Sequence, residues 1–284
     1  MGRGKNYLRR HKILDAIQTR LYAGGWAARG AYLLGLQGKL HIDRRNIHLP
    51  IRPHLAEPLK IAFASDIHAG PLTDPRLFDI LLDSIVDFRP HILLLGGDFV
   101  SLHHRYIGLL TRHFGQLQIP GGIFGVFGNH DLWADDEFLM HELQKSGVRM
   151  LVNESINLPY PFQAISLCGM DDPGAGDPDP VATFQNAGKH RILLMHSPLG
   201  LKFVRDTEFD LAFCGHTHGG QIAFPWGRPI VLPADSGERR FSNGNFQLPG
   251  GGRLIASRGV GMSNIPFRLF APSEVHLCTI HSER

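Results

Sequence analysis

The apolar residues after residue 58 fall into short, nearly continuous runs that are separated by longer amphipathic stretches. Five of these runs are followed by a polar residue, either directly or after one or two glycines, and they span 60–65, 91–95, 123–127, 191–195 and 211–214. Short apolar runs of this kind are typical of strands that are buried on both faces. Their alternation with helical stretches predicts βαβ units, and therefore an α/β fold.

Two of the intervening stretches have helical periodicity. In 75–88 apolar side chains recur every three or four residues, and Pro90 ends the predicted crossover helix. Residues 135–146 form a second predicted helix, which a glycine ends. From Phe224 onward Gly and Pro are frequent among alternating apolar residues. This last pattern predicts hairpins and loops that complete a second sheet.

The first 52 residues differ from the rest of the chain in charge. They contain 11 Lys and Arg against 2 Asp and Glu, whereas residues 53–284 contain 18 against 24. We therefore predict a basic leader, 1–52, and a body, 53–284. The leader places Ile13, Ile17 and Leu21 at helical spacing among basic residues, and an aromatic and apolar segment follows.

Three interpretations of this leader remain open. A basic amphipathic helix followed by an apolar segment is typical of an interfacial membrane anchor, which would place residues 1–50 in peripheral contact with a membrane. The same helix could instead pack on the body with its basic face in water. A twin-arginine export signal is the third interpretation, but charged residues interrupt the apolar core that such a signal needs.

Composition limits the class of protein. Hydrophobic residues make up 43% and charged residues 19% of the chain, which excludes a disordered protein. No apolar run approaches the ~20 residues that a spanning helix requires. The three cysteines are scattered without a CxxC spacing, which favours a reducing compartment over a disulfide framework. We expect a cytoplasmic protein, peripheral on the cytoplasmic face of a membrane.

Polar side chains follow each of the five predicted strands. They are Asp66 and His68, then Asp98, then Asn129, His130 and Asp131, then His196, and finally His216 and His218. Because the carboxyl ends of parallel strands meet at one edge of a sheet, we expect these side chains to converge. Carboxylate, imidazole and amide oxygen suit divalent Mn, Fe or Zn, and the absence of thiolates argues against a structural zinc site.

The order Asp-x-His, Gly-Asp, Gly-Asn-His-Asp, His and Gly-His-x-His over residues 66–218 resembles the signature of the calcineurin-like metallophosphoesterase superfamily. The resemblance implies two facing mixed β-sheets flanked by helices in four layers, with a dinuclear metal site at the carboxyl ends of strands. It implies Mn as the first choice of metal, with Fe or Zn as alternatives. The implied ligands are Asp66, His68, Asp98 and His218 for one ion, and Asp98, Asn129, His196 and His216 for the other. His130 matches the catalytic histidine, and Asp131 matches the acid that orients it through a hydrogen bond.

The same resemblance implies a function. It is hydrolysis of a phosphate ester or pyrophosphate by a hydroxide held between two ions. Segments 196–198, 219–221 and 257–261 resemble the bacterial membrane-associated branch that includes UDP-diacylglucosamine pyrophosphohydrolase-like enzymes, which implies a phosphorylated lipid substrate. A soluble phosphodiesterase or nuclease is the alternative. Nucleic acid is the weaker expectation, because the 66 residues after His218 leave little room for a DNA-capping region.

Three further residues are candidates for binding substrate. His103 and His104 follow Asp98 closely enough to line a cleft, although a solvated loop is the ordinary alternative. Arg258 could bind a phosphate bidentately, or it could form an ion pair.

Overall fold

Two six-stranded β-sheets face each other, with α-helices on their outer sides. The computed structural model describes residues 4, 7–101, 103–204, 209–232 and 239–283. Within these ranges the helices are α1 (Arg9–Leu21), α2 (Trp26–Leu33), α3 (Arg76–Phe88), α4 (Gly108–Phe114), α5 (Asn129–Ala134), α6 (Asp136–Lys145) and α7 (Pro180–Phe184). The strands are β1 (His41–Leu49), β2 (Leu59–Ala64), β3 (Ile92–Leu95), β4 (Ile123–Gly125), β5 (Val148–Met150), β6 (Glu154–Asn157), β7 (Ile165–Gly169), β8 (His190–Leu194), β9 (Leu211–Cys214), β10 (Gly244–Gln247), β11 (Arg253–Ala256) and β12 (Glu274–Ser282).

Both sheets are mixed. The order of the first is β1-β12-β2-β3-β4-β5, and the order of the second is β10-β11-β9-β8-β7-β6. Strands β2 to β5 run parallel in the first sheet, and β7, β8, β9 and β11 run parallel in the second. The five strands predicted from the apolar runs are β2, β3, β4, β8 and β9, so their carboxyl ends meet along one edge of each sheet. The predicted fold class is confirmed.

The main core lies between the two sheets. Ile61 and Phe63 of β2 point into it, and the Phe63 ring lies 5.0 Å from the ring of Phe213 on β9. Ala62 and Ala64 point to the opposite face and pack under the helices of the first sheet. Successive strand side chains alternate between faces, so a strand covered on both sides requires a continuous apolar run.

The C-terminal segment differs in part from the prediction. β10 and β11 form an antiparallel hairpin that extends the second sheet. β12, however, lies in the first sheet between β1 and β2, so the interpretation that everything after Phe224 completes the second sheet was wrong for this strand. Val275 and Leu277 face the helices, and Cys278 and Ile280 face the other sheet. This alternation fits either sheet, and the apolar pattern alone therefore cannot place the strand.

The stretch predicted as a leader contains α1, α2 and β1. β1 is an edge strand that pairs with β12 in parallel register. α1 contacts the body: Gln18 Nε2 donates to the Asn264 carbonyl at 3.2 Å, and the rings of Tyr7 and His11 stack on Trp133. Residues 1–3, 5 and 6 of the predicted leader lie outside the described residues. The division of the chain at residue 52 stays a prediction.

The outer face of α1 is apolar and exposed. Ile13, Ile17 and Leu21 are each at least half exposed, and Trp26 is exposed just after them. One side of α1 therefore packs on the body, and the opposite side of the same helix exposes apolar residues. Within the described ranges, no helix combines the length and the apolar character needed to cross a bilayer.

Candidate metal centre

Side chains from both sheets converge at the carboxyl ends of β2, β3, β4, β8 and β9. Three groups of them have ligand atoms within 4.8 Å of one another, and these groups are Asp66–His68–His218, His68–Asp98–His130 and Asp98–His196–His216. Asn129 joins them, because its Oδ1 lies 3.2 Å from His196 Nε2. The structure thus brings together every residue that the sequence predicted as a ligand.

Asp98 lies between two candidate ligand sets, one that contains His68 and His218 and one that contains His196 and His216. Its Oδ2 is 3.5 Å from His68 Nε2 and 3.4 Å from His196 Nε2. Its Oδ1 accepts a hydrogen bond from the backbone N–H of His130 at 2.9 Å. One carboxylate oxygen within reach of both sets is the arrangement that a bridging ligand requires.

The imidazoles meet in pairs through their ring nitrogens. His68 Nε2 lies 3.0 Å from His218 Nε2, and His216 Nδ1 lies 3.2 Å from His196 Nε2. Removal from water lowers the pKa of His68 and of His216 to about 3, so both rings are neutral near pH 7. Neutral imidazoles and carboxylates that converge away from solvent are the donors that bind Mn, Fe and Zn. The residues present therefore fit a divalent metal.

Asp98 and His196 perturb each other in opposite directions. Burial alone would raise the pKa of Asp98, but His196 and His130 hold this pKa well below its usual value. Burial alone would lower the pKa of His196, but Asp98 and Asp66 raise it well above its usual value. Because a metal ligand must be deprotonated, metal binding at His196 would release a proton.

The backbone is strained at five of the candidate ligands. Their φ angles lie between 46° and 73°, in the left-handed region, and the residues are Asp66, His68, Asp98, His216 and His218. Such conformations cost about 1–3 kcal/mol each and persist where surrounding structure imposes them. Here the backbone N–H groups of Asp66 and His68 donate to the carbonyls of Gly97 and Asp98, both at 2.9 Å. The loops after β2 and β3 therefore hold each other in place.

Two glycines permit the close approach of these loops. A Cβ at Gly128 would collide with the Asp98 carboxylate and the His196 ring. A Cβ at Gly215 would collide with Ser65 and with the Asp66 carboxylate. Any side chain at either position would push ligands apart.

His130 and Asp131 are placed differently from the prediction. The His130 ring is tied to the Ser101 carbonyl, which lies 2.7 Å from Nδ1. The carboxylate of Asp131 is buried and accepts hydrogen bonds from the backbone N–H groups of Phe99 and Gly128, at 2.8 and 3.0 Å. The predicted hydrogen bond from Asp131 to the His130 ring is therefore wrong. Asp131 fixes the loops after β3 and β4, and Ser101 orients His130.

A comparison with protein families agrees with this geometry. A family model described as calcineurin-like phosphoesterase matches residues 59–220, which is more than half of the chain. The chain belongs to the calcineurin-like phosphoesterase family. The matched range begins with β2 and ends just after His218, so it contains every predicted metal ligand.

The alignments between this chain and its curated relatives cover different shares of each relative's length. The Bacillus subtilis protein named uncharacterized metallophosphoesterase YkuE is 26% identical over 286 aligned positions, which cover 96% of this chain and 98% of the relative. Escherichia coli phosphodiesterase YaeI is 31% identical over 214 residues, covering 72% and 76%. A Helicobacter pylori uncharacterized metallophosphoesterase is 28% identical over 229 residues. The chain spans only 59% of that relative and 62% of one from Campylobacter jejuni.

Sequence reasoning missed Arg268 of this calcineurin-like phosphoesterase. Its guanidinium is buried behind the site and donates to the carbonyls of Gly261, Ala271 and His218. Its Nη2 also lies 3.1 Å from His218 Nδ1. Burial lowers the pKa of Arg268 to about 10, which leaves it charged at neutral pH. An Arg among Pro, Gly and apolar residues after the last motif carries no sequence signal of such a contact.

The three candidates for substrate binding have other partners in the structure. His103 is exposed and its Nδ1 accepts from the Arg105 N–H, while the His104 ring lies 4.8 Å from the ring of Phe138. Arg258 forms an ion pair with Glu274. None of the three is among the described residues that line the cleft in front of the ligands.

That cleft has a volume of about 690 Å³. Asp98, Asn129, His130, His216 and His218 form its inner end. Its lining also contains the apolar residues Trp133, Ile222, Val231 and Ile265, the polar residues Gln221, Ser263 and Asn264, and three residues of α1. The cleft of this phosphoesterase therefore offers apolar side chains beside the charged and polar candidate ligands.

Proposed function

We propose that the protein is a metal-dependent phosphoesterase with two divalent ions. Asp66, His68, Asp98 and His218 would hold one ion, and Asp98, Asn129, His196 and His216 would hold the other. The observation that carries this proposal is the position of Asp98 Oδ2 between His68 and His196, at 3.5 and 3.4 Å. These carboxylate, imidazole and amide ligands suit Mn, Fe and Zn alike. We expect Mn first, with Fe or Zn as competitors.

When bound, such ions would withdraw charge from phosphoryl oxygens and supply a nucleophile near neutral pH. His130 would then act on the substrate directly. Its Nδ1 is occupied by the Ser101 carbonyl, which leaves Nε2 as the ring nitrogen available to a substrate oxygen. Because Nδ1–H is donated to the Ser101 carbonyl, the ring must be protonated to carry a proton on Nε2 as well. In that form it would protonate the leaving oxygen from the cleft or donate a hydrogen bond to the phosphoryl group. Asp131 would contribute by fixing the loops that carry Asp98 and His130.

Metal analysis followed by a substrate panel tests this function. The protein purified with Mn²⁺ should contain about two ions per chain, as a dinuclear site requires. It should hydrolyse at least one class among phosphomonoesters, phosphodiesters and pyrophosphates. Two bound ions with no hydrolysis across the panel would contradict the proposal. A clear preference for nucleotide diesters would favour the soluble phosphodiesterase alternative, in line with the name of the E. coli relative.

We further propose that the substrate is a phosphorylated lipid, such as a UDP-diacylglucosamine-type pyrophosphate, met at the cytoplasmic face of a membrane. The support is the outer face of α1, where Ile17 and Leu21 are 54% and 55% exposed beside the basic residues Lys12 and Arg20. An apolar row flanked by cations is the composition that binds an anionic bilayer surface.

Vesicle sedimentation tests the membrane proposal. Wild-type protein should sediment with phosphatidylglycerol vesicles more than with phosphatidylcholine vesicles. The double variant Ile17→Asp/Leu21→Asp should lose this binding. Val86→Asp/Val181→Asp, which changes two exposed apolar residues of the body, is the matched control and should keep it. Equal sedimentation of both variants would end the membrane hypothesis.

A further inference from the structure

One wall of the metal cleft comes from α1, a helix that precedes the family match. His11, Leu14 and Asp15 of this helix line the same cleft as Asp98 and His130. The helix begins at residue 9, whereas the family match begins at residue 59. This wall is therefore a feature of this chain outside the matched phosphoesterase core.

The position of α1 is coupled to the helix that carries His130. The His11 ring stacks on Trp133, with centroids 5.1 Å apart, and Tyr7 stacks on the same Trp133 ring at 5.5 Å. Trp133 in turn contacts the His130 ring at 5.0 Å. Tyr7, which precedes α1, also donates a hydrogen bond to Asp15 of this helix at 2.6 Å. Trp133 therefore links this wall of the cleft to His130.

Leu14 stands where the cleft meets the exposed face of α1. Leu14 is three residues after His11 and four before Gln18, and both of these residues face the body. On its other side, Ile17 and Leu21 follow Leu14 by three and seven residues and belong to the exposed face. The Leu14 side chain is 43% exposed although it lines the cleft. With Ile222, Val231 and Ile265 it contributes apolar surface to a lining that also contains Asp15 and Asn264.

We propose that α1 forms a subsite for the organic substituent of the substrate, and that Leu14 selects an apolar substituent there. The inference rests on the proposed phosphoesterase function. The cleft of about 690 Å³ is in the size range of pockets that hold whole small molecules, far larger than a phosphate group requires. A phosphoryl group at the charged floor would leave its alkyl or acyl chain between α1 and the segment that contains Ile222 and Val231.

Two diesters that share a leaving group test this subsite. p-Nitrophenyl methyl phosphate and p-nitrophenyl octyl phosphate differ only in the alkyl chain that would reach Leu14. Wild-type enzyme should have the higher kcat/KM for the octyl ester. Leu14→Asp should lower kcat/KM for the octyl ester about tenfold and leave the methyl ester within about twofold, because only the octyl chain touches the wall. Val86→Asp, a half-exposed apolar residue on α3, is the control and should change neither.

A second variant and a binding measurement distinguish failure of the subsite from failure of the phosphoesterase function. Leu14→Gln removes the apolar contact without adding charge, and it should lose the same octyl preference. Calorimetry with octylphosphonate and methylphosphonate should show weaker binding of the octyl compound alone in both Leu14 variants. Equal losses for both esters, or none, would overturn the subsite. Wild-type protein that holds metal but hydrolyses neither ester would instead count against the phosphoesterase function with diesters.

Discussion

Arg268 Nη2 lies 3.1 Å from Nδ1 of His218, and Arg268 Nη1 donates to the His218 backbone carbonyl at 3.2 Å. Both groups are buried. The positive charge helps to hold the pKa of His218 well below its usual value, after burial and His68. This charge favours the neutral imidazole, which is the form that binds metal, and the bonds that Arg268 donates to the carbonyls of His218, Gly261 and Ala271 hold the loop that carries this candidate ligand. We infer that Arg268 positions a ligand rather than contacting substrate.

Replacing Arg268 tests this positioning role. Arg268→Lys retains a charge but cannot reproduce the planar fork that bonds several carbonyls at once. We expect its metal content to fall by about one ion per chain, since only the set that includes His218 is disturbed. Plasma emission spectrometry measures this directly. The control Arg258→Lys changes a neighbouring Arg that pairs with Glu274, and it should retain the wild-type metal content. Full metal occupancy in Arg268→Lys would contradict the inference.

His130→Ala separates catalysis from metal binding. The His130 ring is bonded to the Ser101 carbonyl and faces the cleft, so its loss should remove proton transfer or hydrogen bonding to substrate. Turnover should fall about 10²–10⁴-fold, the usual contribution of such a group. Metal content should stay within error of wild type, whereas loss of metal together with activity would show that His130 is a ligand. His141→Ala, an exposed histidine on α6, is the control.

A buried charge cluster at the start of β12 predicts how the stability of the folded protein depends on pH. His276 lies between two carboxylates, with Nδ1 3.1 Å from Asp43 and Nε2 3.2 Å from Glu274. Burial alone would lower the pKa of His276, but these partners raise it above its ordinary value. The contacts with His276 lower the pKa of Asp43 to about 2, and they overcome burial to lower that of Glu274 to about 2.

The directions of these pKa shifts define the pH range in which the cluster stabilises the folded protein. The His276 contribution is fully present below about pH 6.5, its unfolded pKa, and is lost as pH rises through the raised folded value. The carboxylate contributions are present above about pH 4 and are lost as pH falls towards 2. With chelator present, the wild-type Tm should therefore decline from pH 6 to pH 8.5, and His276→Asn should show a smaller decline. The control His281→Asn changes a histidine on the same strand and should follow wild type; parallel curves for His276→Asn and wild type would contradict the assignment.

The convergence of the candidate metal ligands could be predicted from sequence because its signals are local. Each candidate ligand lies within four residues after the end of a buried strand, and the strand itself is visible as an apolar run, as in Ile92–Leu95 before Asp98. Parallel strands place their carboxyl ends together, so the loops had to converge. The α/β architecture followed from the same alternation of runs and amphipathic helices.

The supporting contacts could not be predicted because they are long-range and involve the backbone. The Ser101 carbonyl bonds a ring 29 residues away, and any residue at that position offers a carbonyl. Asp131 is adjacent to His130 in sequence, yet a helix points the two side chains in different directions, and the buried N–H groups of Phe99 and Gly128 take its carboxylate. The packing of α1 on the cleft depends on Trp133, whose sequence context is that of an ordinary helix.

The central claim is that Asp98 joins two metal ions. Metal analysis of Asp98→Ala after purification in Mn²⁺ tests it most directly, with wild type at about two ions per chain. Asp98 Oδ2 lies 3.5 Å from His68 Nε2 and 3.4 Å from His196 Nε2, so on this proposal the variant should retain almost no metal while circular dichroism shows a folded protein. A folded Asp98→Ala protein that still binds two ions would contradict the bridging role and with it the proposed centre.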